Sequence, residues 1–185
     1  MFPQKNLLFR NLSDGTFRNI SDQTGLALEK VSRAATFGDY DNDGDVDILI
    51  TNCHQTPDWL RNDVGNQKNW VQIKAMGTVS NRSAIGGRVR GVAGDLIQYQ
   101  EINSGNSYLS CSDLRLHFGL DDAERVDVLE TRWPGGKIDK SSNLEVNQRH
   151  IMAEGQGYGY TLSRKVKAKS WGGRLSLSSN RRFRR

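Results

Sequence analysis

The chain has 185 residues, a net charge of +5 at pH 7 and 36% hydrophobic residues. This length fits one domain or two small ones. It contains no apolar run near the ~20 residues that a spanning helix requires, so we expect no membrane span, and residues 1–6 lack the apolar core of a secretory signal.

The N-terminal residues predict a hairpin followed by two strands around an acidic segment. Residues 7–9 and 16–20 flank the turn dipeptide Asp14-Gly15, a pattern typical of a hairpin. Residues 34–37 lead into the acidic segment, and the β-branched residues 46–50 leave it as a strand.

Residues 52–68 are polar, and we expect them to be irregular. A second region begins near Asn69, where apolar and polar residues start to alternate again. Its predicted strands are residues 70–76, 86–93, 96–102, 114–118, 125–133, 137–139 and 149–153. Residues 125–133 are apolar on both faces, which indicates a central strand. Because no segment sustains a helical period, the predicted fold class is all-β.

The acidic segment 39–47 carries the pattern D-x-D-x-D-G-x-x-D. Calcium prefers six to eight oxygen ligands, and alternate side chains of a curled loop converge on one point. Gly44 permits the required reversal of the backbone. We predict side-chain ligation by three aspartates, a backbone carbonyl from the fourth and carboxylate oxygens from the fifth. In chain order these residues are Asp39, Asp41, Asp43, Asp45 and Asp47.

Electrostatic repulsion also favours a bound cation at this segment. Like charges 4 Å apart repel by about 1 kcal/mol per pair even in water. A surface turn without specific binding is the simpler alternative, and Mg²⁺ is a weaker candidate because it retains more water. A helix–loop–helix site is excluded, since it needs a glutamate at loop position 12, which is Ile50.

Residues 36–52 (TFGDYDNDGDVDILITN) resemble the calcium-binding FG-GAP (VCBS-type) repeat of integrin-like β-propellers. Residues 8–17 (LFRNLSDGTF) are similar to the segment between such repeats. This resemblance implies one partial propeller blade in residues 1–68. Because a propeller needs 4–8 blades, we expect the chain to be a C-terminal fragment of a longer protein or the product of a truncated open reading frame.

Three later segments resemble the ASPIC/UnbV domain. They are residues 80–90 (SNRSAIGGRVR), 107–120 (SYLSCSDLRLHFGL) and 128–137 (VLETRWPGGK). We therefore expect this domain to occupy residues 69–154 as a small antiparallel sandwich or barrel. The two resemblances imply extracellular or cell-surface placement and a role in recognition or adhesion, with a protein or glycan as the ligand and Ca²⁺ as the cofactor.

The second region also allows an alternative hypothesis, an enzyme that uses an arginine and histidine face. Strand alternation places Arg88 with Arg90, and Arg115 with His117, on common faces. A solvated strand face is the simpler interpretation, and no nucleophile or zinc motif occurs. We therefore expect a binding module rather than an enzyme.

Residues 155–185 form a basic tail that we predict to be disordered. All nine of its charged residues are basic, so the preceding 154 residues carry +5 less nine, or −4. Such a tail suits nucleic acid, but the acidic body argues against a nucleic-acid binder. Cys53 and Cys111 have no metal or redox spacing, and whether they pair is left open.

Overall fold

The computed structural model describes residues 2–162 and 181–183. Nearly all regular structure in these residues is β, which confirms the predicted fold class. The strands of the first region are β1 (Gln4–Lys5), β2 (Phe9–Asn11), β3 (Phe17–Asn19), β4 (Glu29–Lys30), β5 (Ser32–Gly38), β6 (Asp47–Asn52) and β7 (Gln55–Asn62). Two single turns accompany them, the α-helix α1 (Ser21–Thr24) and a 3₁₀ helix (Gly65–Gln67).

The later strands build the second region. They are β8 (Asn69–Met76), β9 (Arg88–Ala93), β10 (Leu96–Glu101), β11 (Leu116–Asp121), β12 (Arg125–Arg132), β13 (Ile138–Glu145), β14 (Gln148–Ala153) and β15 (Gly157–Leu162), and β16 (Arg181–Phe183) follows. Among the described residues, no helix has the length and apolar character needed to span a membrane.

Strands β5, β6 and β7 form an antiparallel meander, the partial blade predicted from the sequence. β16 adds to the outer edge of β7 in parallel. Gly38 pairs with Asp47 at the open end of the β5–β6 hairpin, so the acidic segment is the loop of that hairpin. The predicted N-terminal hairpin is also present as β2 and β3. The small core of the first region consists of Leu26, Leu28, Ile48, Ile50 and Leu60.

The prediction that residues 52–68 are irregular is wrong, because β7 lies within this range. The strand was not predicted because its sequence is mostly polar. Asp58 is buried in β7, where its carboxylate accepts hydrogen bonds from Lys30 Nζ at 2.7 Å and Asn52 Nδ2 at 2.8 Å. A buried charge that is paired and hydrogen-bonded can replace an apolar residue at a core-facing position.

The second region is a sandwich of two four-stranded sheets. Their strand orders are β10-β9-β12-β13 and β11-β8-β14-β15, and neither forms a closed barrel. One apolar core lies between them, and its most buried large side chains include Trp133, Phe118 and Leu129. The predicted hairpin at Gly94-Asp95 joins β9 to β10, and β12 is central as predicted.

The last strands of the sandwich differ most from the sequence predictions. β13 continues to Glu145 and pairs with β12 along its length; Ser141 and Leu144 are buried, while most of its other residues are exposed. β14 is an interior strand rather than the last one, since β15 pairs with its second edge. The predicted disordered tail thus begins with a strand, and residues 163–180 and 184–185 lie outside the described residues.

A carboxylate clamp fixes the loop that follows β8 in the sandwich. Glu154 Oε2 accepts hydrogen bonds from the backbone N–H groups of Thr78, Val79 and Ser80 at 3.0, 2.9 and 2.7 Å. The Ser80 hydroxyl donates to Oε1 at 2.8 Å. Burial opposes ionisation, but these donors outweigh it and lower the pKa of Glu154 to about 2.

We predict that this clamp makes the protein sensitive to acid. The folded pKa of Glu154 lies below its ordinary value of 4.5, so the stabilisation is complete above that value and is lost as pH falls toward 2. Glu154→Gln should lower the melting temperature by several degrees at neutral pH. The melting temperature of this variant should also depend less on pH between 4.5 and about 2 than that of the wild type. Thermal melts followed by circular dichroism would measure both effects.

The exposed Glu124→Gln is the matched control for this experiment and should retain the wild-type pH profile. An unchanged acid profile in Glu154→Gln would contradict the role assigned to the clamp.

Candidate metal centre

The loop between β5 and β6 is curled by its own carboxylates. Asp39 Oδ1 accepts a hydrogen bond from the Asp43 N–H, and Asp39 Oδ2 accepts one from the Gly44 N–H, both at 3.1 Å. Asn42 and Gly44 take left-handed backbone conformations, with φ of 59° and 102°. These two residues supply the reversal that the sequence pattern predicted.

The curl brings three of the predicted ligands together. Carboxylate oxygens of Asp39, Asp41 and Asp43 all lie within 4.8 Å of one another. Asp41 Oδ1 is buried and has no hydrogen-bond partner. Burial, with repulsion from Asp41 and Asp39, raises the pKa of Asp43. A hard cation among these oxygens would bind the orphaned oxygen and offset the repulsion, so the residues present fit a metal ion.

The other two predicted ligands also have anchoring roles. Asp47 Oδ2 accepts a hydrogen bond from the Tyr40 N–H at 3.1 Å, and Oδ1 accepts one from the Asn62 N–H at 2.8 Å. These bonds tie the loop to β7. Ligation by the Asp47 carboxylate and by the Asp45 carbonyl stays a prediction.

The Asp45 side chain is buried against the turn at Gly65 and is only 1% exposed. Neither of its oxygens makes a hydrogen bond of regular geometry. Burial, followed by repulsion from Asp43, raises the pKa of Asp45 to about 7, against a smaller opposing effect of the Gly65 amide. The loop therefore contains a second carboxylate that is poorly compensated by protein donors.

The loop contacts one outer face of the sandwich, which we call the docking face. This face consists of Trp70 and Gln72 on β8, Arg115 immediately before β11, His117 on β11 and Arg149 on β14. Gln72 Nε2 donates to Asp39 Oδ2 at 2.8 Å. Arg115 donates through Nη2 to the Asp39 carbonyl at 2.9 Å and through Nη1 to Asn42 Oδ1 at 2.7 Å. Arg149 donates to the same Asn42 oxygen.

Gly44 makes the closest approach between the loop and the docking face. A Cβ atom at this position would lie 2.2 Å from the indole of Trp70. His117 stacks on Trp70 with ring centroids 5.8 Å apart, and its Nε2 lies 2.8 Å from the Gly44 carbonyl. A carbonyl only accepts, so Nε2 carries the proton and donates. Burial lowers the pKa of His117, which favours the neutral ring at pH 7.

A second contact runs along the free edge of β5. The Asp113 N–H donates to the Phe37 carbonyl at 2.9 Å, while the Phe37 N–H donates to Ser112 Oγ at 3.2 Å. The Ala35 N–H donates to Ser107 Oγ at 3.2 Å. The segment 107–113 thus satisfies backbone groups that an edge strand would otherwise expose.

The structure divides the predicted arginine and histidine surface between two sheets. Arg88 and Arg90 lie on β9, where they contact Glu101 and Tyr99 respectively. Arg115 and His117 belong to the docking face. Sequence alternation paired these two residues correctly, but it gave no signal for the roles of Gln72 and Arg149. Cys53 and Cys111 are free thiols.

Comparisons with known families agree with this architecture. The family described as FG-GAP-like repeat matches residues 2–50, and the family described as ASPIC and UnbV matches residues 77–158. No curated protein matches the chain. The acidic loop lies in the first match, and Arg115, His117 and Arg149 of the docking face lie in the second. Trp70 and Gln72 lie between the two matches.

We predict that Gly44→Ala disrupts the contact between the loop and the docking face. The left-handed backbone costs a non-glycine residue about 1–2 kcal/mol, and overpacking against Trp70 adds about 1–3 kcal/mol. The free energy of unfolding should therefore fall by about 2–5 kcal/mol, as measured by urea denaturation.

Gly136→Ala provides the control, because Gly136 has φ of 88° but a Cβ atom added there would meet no atom within 4 Å. It should incur only the backbone cost. Equal losses in the two variants would show that the approach to Trp70 is unimportant.

Proposed function

We propose that this chain, which consists of an FG-GAP-like repeat followed by an ASPIC and UnbV domain, is a calcium-binding recognition module. The observation that carries the proposal is the convergence of Asp39, Asp41 and Asp43 within 4.8 Å around a buried oxygen without a partner. The family resemblance supports extracellular placement of the module.

Calcium suits the loop better than magnesium. All the candidate donors are oxygens, and a curled loop with several carboxylates can supply the larger coordination number of Ca²⁺. The ion would be held by Asp39, Asp41 and Asp43, with Asp45 and Asp47 completing the site through the carbonyl and carboxylate predicted from the sequence. Its contribution would be structural, because it would neutralise the carboxylates and rigidify the β5–β6 hairpin.

The contacts of the docking face support a binding role over an enzymatic one. Arg115 and His117 are the residues of the predicted arginine and histidine face that lie on the docking face. Both donate hydrogen bonds to the acidic loop, and Arg115 also forms an ion pair with Asp113 at 2.5 Å. We therefore propose that these groups hold the structure together rather than act on a substrate.

An aromatic pair at the loop, formed by an exposed tyrosine and a half-buried tryptophan, supports recognition of a protein or glycan. Tyr40 is 69% exposed and contacts Trp59 edge-on, with ring centroids 4.2 Å apart. Aromatic side chains of this kind are enriched at binding surfaces because they offer large apolar area with little conformational freedom. An ion in the loop would fix the backbone that carries Tyr40.

Calorimetric titration of Ca²⁺ into chelator-stripped protein tests the proposal. We expect one saturable site with Kd on the order of 10⁻⁴–10⁻³ M, the range of extracellular modules. At 100 times Kd, calcium should stabilise the fold by about 2.7 kcal/mol, which corresponds to a rise in melting temperature of about 5–10 °C.

Asp41→Asn should abolish or strongly weaken this binding, because it removes the charge of a converging carboxylate while preserving side-chain size. Asp95→Asn, in the exposed β9–β10 turn, is the matched control and should bind like the wild type. A folded wild type that binds no calcium would overturn the proposed function.

A further inference from the structure

We propose that the docking face of the sandwich positions the calcium loop, so that ion binding and docking of the two regions strengthen each other. This inference rests on the proposed function but goes beyond it. It assigns part of the calcium affinity to residues outside the FG-GAP-like repeat, and above all to Gln72.

Gln72 is the buried link between the sandwich and a candidate ligand. Its side chain is 2% exposed and lies in the central part of β8. The amide nitrogen donates to Asp39 Oδ2, while the amide oxygen accepts from Arg115 Nη1 at 3.3 Å. This opposed pair of contacts fixes the amide orientation, so that an N–H group is directed at the Asp39 carboxylate.

A hydrogen bond to a ligating carboxylate orients it and affects metal affinity. Removal of such an outer partner typically lowers affinity about 10–100-fold. Asp39 is the first residue of the metal-binding pattern, and its two oxygens also accept the Asp43 and Gly44 N–H groups. The Gln72 contact therefore acts on the carboxylate that organises the curl of the loop.

Arg115 links the acidic loop to segment 107–113, which contacts β5. Its guanidinium contacts the Asp39 carbonyl and the Asn42 side chain, and it is held in place by the Asp113 carboxylate. The Asp113 backbone N–H in turn donates to the Phe37 carbonyl of β5. The loop, the segment that leads into β11 and the free edge of β5 are thus connected through one set of polar contacts.

These contacts make ion binding and docking thermodynamically reciprocal. If docking holds the loop in the shape that binds calcium, then bound calcium must favour docking by the same free energy. Calcium should therefore stabilise segments of the sandwich that are distant in sequence from the acidic loop, and segment 107–113 should respond most because it contacts β5.

Gln72→Met tests whether docking strengthens calcium binding. It removes the donor to Asp39 without adding charge, and we expect the calcium Kd measured by calorimetry to rise about tenfold or more. Ser80→Ala is the control, because it weakens the sandwich through the hydrogen bond to Glu154. It should lower the melting temperature and leave the calcium Kd unchanged.

Hydrogen exchange of the wild-type protein, with and without calcium, tests whether calcium binding strengthens docking. This experiment remains informative even if Gln72→Met does not fold. We expect calcium to slow exchange in both the loop 39–47 and segment 107–113. In Gln72→Met at saturating calcium, the loop should remain protected while the protection of 107–113 decreases.

The outcomes separate the two proposals. If the wild type binds calcium and Gln72→Met binds it equally well, or if protection is confined to 39–47, the coupling is overturned while the proposed function stands. If the folded wild type binds no calcium, the proposed function fails and the coupling fails with it.

Discussion

Repulsion among the carboxylates is the constraint on which this structure depends. Five aspartates lie between residues 39 and 47, and the loop curls so that three of them converge. Part of the repulsion is offset within the loop by backbone N–H groups. Another part is offset from outside by Gln72 and Arg115. A buried oxygen of Asp41 and the buried carboxylate of Asp45 are not compensated by hydrogen bonds of regular geometry, and they show where protein donors are insufficient.

The position of the loop gives it a structural role in both regions. It closes the β5–β6 hairpin and also packs against the outer face of the β11-β8-β14-β15 sheet. The absence of a side chain at Gly44 allows the backbone to approach the Trp70 indole, so the interface depends on backbone contact as well as polar groups. Arg115 and His117 of this sheet face line a cavity together with Asp39 and Asp113. Their main partners are backbone carbonyls and polar oxygens of the loop.

The sequence predicted those features that depend on local patterns. Alternation identified β8, β9, β10 and β12, and the spacing of Asp39, Asp41 and Asp43 around Gly44 predicted their convergence. It did not identify β7, because burial there depends on the pairing of Asp58 with Lys30 and Asn52. It also could not predict the docking face, since Gln72 and Asp39 meet only through tertiary packing. Local periodicity contains no information about such contacts.

The pairing of β14 with β8 has a consequence for how the protein folds during synthesis. β8 and β14 are parallel, and Val71 pairs with Gln148, so the centre of this sheet joins residues separated by more than seventy positions. Pairings of such high contact order form slowly, because the chain must close a large loop before it gains the contact. The apolar side of β8 therefore leaves the ribosome well before β14 has been synthesised. Over that interval the nascent chain must avoid incorrect strand pairing, and the polar side chains of Gln72 and Lys74 on the outer side of β8 reduce its tendency to aggregate.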